Sequence, residues 1–155
     1  MEIPGSEVVG VDISEDALEV ACSQDFEEFQ KSRSSIRFVK GDILEPDLLP
    51  ELGKFDLILS NPPYIKESEK AKMRPNVLDH EPALALFVPD EDPLLFYRAI
   101  ARYGMKNLCE GGMLFFEINA AYGHETCELL ETFGYKNVTL RKDINDRERM
   151  IFATK

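Results

Sequence analysis

Short apolar runs recur along the chain and alternate with longer segments in which apolar positions have helical spacing. Each run is rich in branched or aromatic residues and is bounded by turn-forming residues, which is typical of strands. The predicted strands are EVVGVDI (7–13), IRFVKGD (36–42), FDLILSN (55–61), GGMLFFEI (111–118), VTLRKD (138–143) and RMIFATK (149–155).

Three segments between these strands are predicted to be helices. After the first strand, apolar residues with helical spacing occur at Ala17, Leu18, Ala21 and Phe26. Ser14 has the position of an N-cap for this helix. The other two helical segments are PLLFYRAIARYGMKNLC (93–109) and GHETCELLETFG (123–134). Strands that alternate with helices predict an α/β fold in which a mostly parallel sheet is covered on both faces.

The last two predicted strands are joined only by the turn INDRE (144–148). Parallel neighbours need a much longer crossover, so this pair is predicted to be antiparallel. A length of 155 residues is enough for one core without disulfides or metals. The sequence therefore predicts a single domain over 1–155, with a mostly parallel sheet and one antiparallel strand.

The stretch from 65 to 92 is the least regular part of the sequence, with many Pro and charged residues. Long irregular loops in compact domains are often lids or binding loops, and a simple surface excursion is an equally good interpretation. His80 and Glu81 are acid–base candidates in this stretch. Neither has a partner at fixed spacing, so we interpret both as structural.

Composition and charge narrow the class of protein. Apolar residues make up 44% and charged residues 30%, and no run of about 18 apolar residues is present to span a membrane. The start MEIPGSEVVG lacks the basic and apolar regions of a signal peptide, which predicts a cytoplasmic location. With 18 basic and 29 acidic residues the net charge is −11, which disfavours nucleic acid as a partner.

The three cysteines, Cys22, Cys109 and Cys127, lie far apart and have no His cluster near them. Structural zinc sites need closely spaced Cys and His ligands, so no metal site is predicted. Buried reduced thiols are the simplest interpretation, because free cysteine packs as a small apolar side chain.

The most specific chemical signal is Asn61-Pro62-Pro63-Tyr64, directly after the apolar strand FDLILS. Ligands of open α/β sheets bind outside the carboxyl ends of strands. The Asn61 side-chain oxygen and the Pro62 carbonyl are able to accept both N–H bonds of a planar amide or aminopurine NH₂ group, which orients it toward an electrophile. The prolines make the turn rigid, and Tyr64 is placed to stack on a planar substrate. The alternative is a simple turn, since Asn-Pro pairs often end strands.

Carboxylates follow the first two predicted strands. Asp12 ends VVGVD ahead of the first helix, where it is placed either to accept both hydroxyls of a ribose or to cap that helix. Asp42, in VKGDIL, has the matching place after the next strand, where it or Ile43 could meet an adenine ring. An Asp after a Gly is also common in turns, so Asp42 taken singly indicates little.

Several segments occur in an order that extends through nearly the whole chain: VVGVDISEDALEVA, GDIL, FDLILSNPPYI, VLDHEPALALF, FYRAI, GGMLFFEI and KDINDRERM. In this order they resemble the HemK/PrmC family of protein-(glutamine-N5) methyltransferases. NPPY alone is shared with DNA adenine and some ribosomal RNA guanine methyltransferases. The flanking segments EPALAL, FYRAI and KDINDRER favour the protein-glutamine branch.

The resemblance implies a class I methyltransferase fold and S-adenosylmethionine as methyl donor. The implied substrate is the glutamine of the Gly-Gly-Gln motif in peptide-chain release factors. By this resemblance Asp12 holds the ribose, and Ile43, beside Asp42, lies at the adenine. Asn61 is implied to contact both the cofactor and the target amide. The remaining residues of the implied substrate clamp are Pro62, Pro63 and Tyr64.

The sequence departs from the family pattern at its start. The family has a strand and a glycine-rich loop, D-x-G-T-G-S-G, before the segment that corresponds to EVVGVDIS, and an N-terminal helical domain that binds release factors; only MEIPGS precedes that segment here. We therefore expect this chain by itself to bind S-adenosylmethionine weakly or not at all. The strand edge left uncovered in mid-sheet is expected either to close within the chain or to pair with a second copy.

Three functions remain open on the sequence. The first is transfer of a methyl group to a release-factor glutamine. The second is transfer to an amino group of adenine or guanine in nucleic acid, against which the net charge of −11 argues. The third is a non-catalytic remnant or interaction module.

Overall fold

The computed structural model of the chain describes residues 3–45, 51–73 and 81–155. The chain divides into two compact units, Met1–Leu52 and Gly53–Lys155, hereafter the N-terminal unit and the C-terminal unit. Two of the six predicted strands lie in the N-terminal unit, and four lie in the C-terminal unit. All six are present, so the alternation of strands and helices predicted from the apolar pattern is confirmed.

The N-terminal unit consists of β1 (Glu7–Asp12), α1 (Glu15–Cys22), α2 (Glu27–Lys31) and β2 (Ser35–Lys40). β1 and β2 pair in parallel, from Glu7 opposite Ser35 to Asp12 opposite Lys40. Since the two strands run in the same direction and in register, their carboxyl ends meet at one edge of this two-stranded sheet.

The helix predicted after β1 is interrupted and forms α1 and α2. Ser14 caps α1 as predicted, because its side-chain oxygen accepts the N–H of Ala17 at 3.2 Å. After α1, the Ser23 hydroxyl donates to the Val20 carbonyl at 2.7 Å, and the Asp25 carboxylate accepts the N–H of Glu27 at 2.9 Å. Such local bonds from short polar side chains compete with helical hydrogen bonding, which explains the interruption.

Little of the described N-terminal unit is buried. Ser34, at 6% exposure, is the one buried residue among residues 3–27, 29–45, 51 and 52. Val8 and Val11 of β1 are 39% and 40% exposed. Phe26 and Phe38 pack together with ring centroids 5.9 Å apart. The described part of the unit therefore has regular β-α-β structure and a small apolar core.

The C-terminal unit contains most of the secondary structure. In chain order its described elements are β3 (Phe55–Ser60), β4 (Ile65–Lys66), a 3₁₀ helix (Glu67–Lys72), α3 (Ala83–Leu86), β5 (Phe87–Val88), α4 (Leu95–Asn107), β6 (Leu108–Glu117), a second 3₁₀ helix (Ala120–Tyr122), α5 (Gly123–Phe133), β7 (Lys136–Lys142) and β8 (Glu148–Thr154). None of the helices in residues 3–45, 51–73 and 81–155 has both the length and the apolar character that a membrane span requires.

The main sheet of the C-terminal unit has the strand order β3-β6-β8-β7. β3 is parallel to β6, and β8 is antiparallel to both β6 and β7. The antiparallel pairing predicted for the last two strands is confirmed. β6 begins at Leu108, earlier than the predicted start at 111, because Leu108 already pairs with Phe55 of β3. Gly111, with a φ of 78°, lies inside the strand, in the part where the register with β3 shifts.

Helices α4 and α5 pack on the same face of this sheet. Tyr97 of α4 makes an edge contact with Phe116 of β6, with ring centroids 5.2 Å apart. Gly123 of α5 approaches Leu140 of β7, which lies beside Ile151 of β8 in the ladder. The side chains between these elements form the core and include Ile100, Leu108, Leu114, Ile118, Leu130 and Ala153.

On the opposite face of the main sheet, the described residues of the C-terminal unit form no such core. Leu57 and Leu59 of β3 are 42% and 69% exposed, and Met150 of β8 is 44% exposed. The sequence predicted helices on both faces of the sheet. Within this unit, α4 and α5 both cover the same face. Residues at alternate positions of a strand point to opposite faces, so the apolar run FDLILS fills both of them.

The described residues of the stretch from 65 to 92, which are 65–73 and 81–92, include short regular elements. β4 and β5 form a two-residue parallel pair, in which Ile65 lies opposite Phe87. The backbone N–H and hydroxyl of Ser68 both donate to Asp90, at 3.1 and 2.8 Å, which fastens the two ends of the stretch. Glu81 is exposed. Residues 74–80, which include the acid–base candidate His80, lie outside the described residues.

The cysteines differ from the expectation in part. All three are free, as predicted. Cys22 is exposed, however, and Cys109 and Cys127 are half-buried, so the prediction that the thiols are buried was wrong. Cys22 is the last residue of α1 in the thinly packed N-terminal unit, where few side chains are available to cover it.

Candidate functional site

The turn Asn61-Pro62-Pro63-Tyr64 begins directly after Ser60, the last residue of β3. Asn61 is exposed and Pro62 is buried. Proline has no N–H and a restricted φ, so the two prolines leave carbonyl acceptors in the turn and limit its motion. The turn thus presents an accessible amide side chain on an anchored backbone at the carboxyl end of a strand.

Tyr64 is held at both its hydroxyl and its backbone. The hydroxyl donates to Glu117 Oε1 at 2.9 Å and accepts from Arg149 Nη1 at 3.3 Å. The Arg149 guanidinium lies 5.9 Å from the centre of the Tyr64 ring. The Asn119 side-chain amide donates to the Tyr64 carbonyl at 3.0 Å. Three side chains from outside the turn therefore hold Tyr64, two at the ring hydroxyl and one at the backbone.

These three side chains are in turn placed by the main sheet. Glu117 is the last residue of β6, and the backbone N–H of Ile118 donates to the Arg149 carbonyl of β8 at 2.9 Å. Arg149 Nη1 also donates to the Ile118 carbonyl at 3.2 Å. Tyr97 of α4 accepts the backbone N–H of Asn119 at 3.2 Å. The turn is thus tied to the ends of β6 and β8 and, through Tyr97, to the core.

The electrostatics of Tyr64 follow from these neighbours. Burial is the largest cause that raises the pKa of its hydroxyl above the usual value, and the hydrogen bond and charge of Glu117 raise it further. The positive charge of Arg149 acts in the opposite direction. Tyr64 is consequently a neutral phenol at neutral pH and has its proton directed to Glu117.

Two concave surfaces border the turn. An open depression of about 560 Å³ lies on the face of the main sheet opposite α4 and α5 and includes Asn61 and Glu117. Its lining is mostly apolar, with Phe115 and Phe152 stacked 5.6 Å apart. A smaller recess of about 60 Å³ is formed by the turn, Ile65 and residues 85 and 86 of α3. An apolar depression beside an exposed amide suits a ligand with both apolar and polar parts.

Asp12, predicted to hold a ribose, lies at the carboxyl end of β1 and is exposed. Its Oδ1 accepts the N–H of Ser14 at 2.8 Å, and Ser14, not Asp12, is the residue that caps α1. The Asp12 carbonyl accepts the N–H of Gly41 at 2.9 Å, which joins the loop after β1 to the loop after β2.

Asp42 and Ile43, predicted to lie at an adenine, are both half-buried in the loop after β2. Asp42 Oδ1 accepts the N–H of Leu44 at 2.8 Å, and the Asp42 carbonyl accepts the N–H of Glu45 at 3.1 Å. The carboxylate therefore shapes a turn that displays Ile43. The N-terminal unit brings these residues and Asp12 to one edge of its sheet, whereas the Asn61 turn belongs to the C-terminal unit. The binding roles of both groups stay predictions.

Glu117, Asn119 and Arg149 were not assigned a role from the sequence, although FFEIN and RERM contain them. For Glu117, the sequence did contain one signal of a role at the site. Glu117 ends an apolar strand as Asp12 does, and a charged residue at that place points to the ligand edge of a sheet. No local pattern indicates that Arg149 reaches the turn, because 85 residues separate it from Tyr64.

Comparison with known proteins gives a family and a fold. Residues 2–135 match the family model described as a methyltransferase domain. Release factor glutamine methyltransferases of Flavobacterium psychrophilum and Bacteroides thetaiotaomicron are each 44% identical to this chain, over 96% and 99% of it and over 50% and 53% of their own lengths. The chain thus spans about half the length of these relatives. A solved methyltransferase structure from Pyrococcus furiosus aligns with a TM-score of 0.62 at 18% identity, over 96% of this chain and 62% of that one.

Proposed function

This chain belongs to the methyltransferase domain family, and from that membership we propose that it methylates the side-chain nitrogen of the glutamine in the Gly-Gly-Gln motif of peptide-chain release factors, with S-adenosylmethionine as donor. The observation that carries the proposal is the anchored turn Asn61-Pro62-Pro63-Tyr64 at the carboxyl end of β3. The names of the two relatives with 44% identity support glutamine as the target.

Methyl transfer to an amide nitrogen depends more on the orientation of that nitrogen than on a strong base. The lone pair of an amide nitrogen is delocalised, so the nitrogen attacks well only when it is oriented toward the methyl group. Asn61 Oδ1 and the Pro62 carbonyl are the acceptors for its two N–H bonds. As the N–CH₃ bond forms, the S–CH₃ bond breaks and its electron pair stays on sulfur. One amide proton is then lost to water, which leaves a neutral N-methylamide and S-adenosylhomocysteine.

The residues proposed to hold the methyl donor fit its chemistry. The Asp12 carboxylate is exposed and uses Oδ1 for Ser14; no hydrogen bond to Oδ2 occurs within the described residues. An exposed carboxylate oxygen of this kind suits a ribose hydroxyl. The Asp42 turn displays the apolar side chain of Ile43, which suits one face of an adenine ring. When bound, S-adenosylmethionine supplies the electrophilic methyl group.

Methyl transfer itself tests the proposal. The matching half of the Bacteroides thetaiotaomicron relative is replaced by this chain, and transfer of labelled methyl groups to a release factor is measured beside the parent enzyme. We expect transfer to the glutamine, and a loss of about 10²-fold in kcat for Asn61→Ala, because misplaced reacting groups cost about that much. Asn145→Ala, in the exposed turn between β7 and β8, is the matched control.

The same assay separates the alternatives. A folded chimera that leaves the release factor unmodified, beside an active parent, would contradict the proposal. Transfer to an adenine or guanine amino group in DNA or RNA would instead favour the nucleic-acid enzyme, against the expectation from a net charge of −11. No transfer to any of these substrates would favour a non-catalytic module.

A further inference from the structure

We propose that Glu117 and Arg149 are positioning residues that lock the Tyr64 ring in one orientation beside Asn61, so that Tyr64 acts as a neutral, immobile platform for the substrate. The inference rests on the proposed function for the meaning of the site. It concerns residues that neither the family match nor the names of the relatives assign.

The first argument is that Glu117 and Arg149 both form hydrogen bonds with the Tyr64 hydroxyl, one as acceptor and the other as donor. Glu117 accepts its proton at 2.9 Å, and Arg149 donates to its oxygen at 3.3 Å. A phenol has one proton to donate, so this proton is committed to Glu117 and is not available to a substrate. With its backbone carbonyl held by Asn119 at 3.0 Å, the residue is fixed at both ends.

The second argument is that Arg149 is itself held in place. One nitrogen, Nη1, reaches both the Tyr64 hydroxyl and the Ile118 carbonyl, at 3.3 and 3.2 Å, while the guanidinium carbon Cζ lies 5.9 Å from the ring centre. A planar guanidinium can lie flat against an aromatic ring while one of its nitrogens donates to two acceptors; a Lys ammonium also has several donors, but it is strongly hydrated and has no plane to stack on the ring. Arg149→Lys therefore keeps the charge and removes the geometry.

The third argument concerns where the locked ring stands. Glu117 and Asn61 both line the depression of about 560 Å³. Tyr64, with Asn61, lines the recess of about 60 Å³. The ring thus stands beside the group that is proposed to bind the amide, and its orientation determines which shapes fit against Asn61.

NMR of the whole chain with ¹³C-labelled tyrosine tests the inference without any methyl transfer, and Tyr64→Phe identifies the Tyr64 signals. We expect slow ring flips and a high titration pKa in the wild type. Glu117→Gln is expected to lower that pKa, because it removes the carboxylate charge. Arg149→Met is expected to raise it, because it removes the cation. Arg149→Lys is expected to make the ring flip faster, since the planar guanidinium beside the ring is lost.

Two exposed residues serve as matched controls in the same experiment: Glu110→Gln in β6 and Arg102→Met in α4. Both are expected to leave the Tyr64 titration and ring flips unchanged. Folding of every variant is checked by the shifts of the core methyl groups of Leu114 and Ile151. If folded Glu117→Gln and Arg149→Met variants titrate as the wild type does, or if the wild-type ring already flips fast, the inference is overturned, whatever the methyl-transfer assay shows.

Discussion

The two units of the chain have similar local structure and very different packing. The N-terminal unit forms a parallel strand pair with two helices, and among its described residues Ser34 alone is buried. The C-terminal unit buries a contiguous apolar set between α4, α5 and the main sheet, with Tyr97, Leu114 and Leu130 at 0% exposure. Buried apolar area supplies most of the stability of a fold, so the two units must differ in stability more than in secondary structure.

This difference bears on the candidate site. Three of the residues predicted to hold the cofactor lie at the carboxyl ends of β1 and β2: Asp12 ends β1, and Asp42 and Ile43 are in the loop after β2, where hydrogen bonds are mainly local. The turn predicted to hold the substrate is instead tied to the strongly packed sheet through Glu117, Asn119 and Arg149. Regions with few buried contacts open at low free-energy cost, so the cofactor loops are expected to be the more dynamic of the two.

The largest expected effect is on the free energy of unfolding of the C-terminal unit. Leu114→Ala in β6 removes a side chain at 0% exposure and should destabilise the unit by about 2–5 kcal/mol. Val8→Ala in β1, at 39% exposure, should cost less than about 1 kcal/mol. Denaturant unfolding followed by circular dichroism measures both. Equal losses of unfolding free energy for the two substitutions would show that the two units do not differ in packing.

A second prediction concerns local opening. Backbone amides of β1 and β2 should exchange with solvent through openings that cost at least about 2 kcal/mol less than those of β6 and β8, because fewer buried contacts must break. Native-state hydrogen exchange measured by NMR at increasing denaturant gives both free energies. Identical opening free energies would mean that the two units unfold as one cooperative body.

A smaller effect is expected at the start of α1. Ser14→Ala removes the oxygen that accepts the Ala17 N–H, and loss of such a cap costs about 1 kcal/mol. Because α1 has little core to support it, exchange of its first-turn amides should rise. Ser23→Ala is the matched control, since its hydroxyl donates to a carbonyl and caps no N–H. Unchanged protection in Ser14→Ala would show that packing, not the cap, holds α1.

The smallest effect is a pH dependence in the C-terminal unit. Arg98 forms two hydrogen bonds to Asp92, at 2.7 and 3.0 Å, and this pairing lowers the pKa of the Asp92 carboxyl. The stabilisation is therefore present above the unfolded-state pKa of about 3.9 and is lost as the pH falls through the lower folded-state value. Both groups are about one-third exposed, so it should be less than about 1 kcal/mol.

The measurement for this pair is the unfolding free energy between pH 7 and pH 2. Asp92→Asn should reduce stability at pH 7 and should show a correspondingly smaller loss in acid than the wild type. Asp146→Asn, which alters the more exposed pair with Lys142, serves as the control and should change the pH dependence less. A wild-type curve that matches that of Asp92→Asn would show that the pair contributes nothing.

Much of the fold was predictable because its signals are local. The period of apolar residues is a property of neighbouring positions, and it located all six longer strands and the helices α4 and α5. Where the bounds of the elements differed from the prediction, short-range polar chemistry or glycine was responsible. Ser23 and Asp25 interrupt the first helix, and Gly111 lies within β6 although a glycine at that place indicated a strand start.

The sequence by itself determined the α/β alternation, the antiparallel final strand and the position of Asn61-Pro62-Pro63-Tyr64 after a strand, because periodicity, connection length and turn chemistry are encoded in adjacent residues. Only the tertiary structure decided what surrounds that turn. Glu117 and Arg149 are 53 and 85 residues from Tyr64, and they meet it because β6 lies between β3 and β8 in the sheet. Strand order and register arise from packing of the whole sheet, and no local pattern carries them.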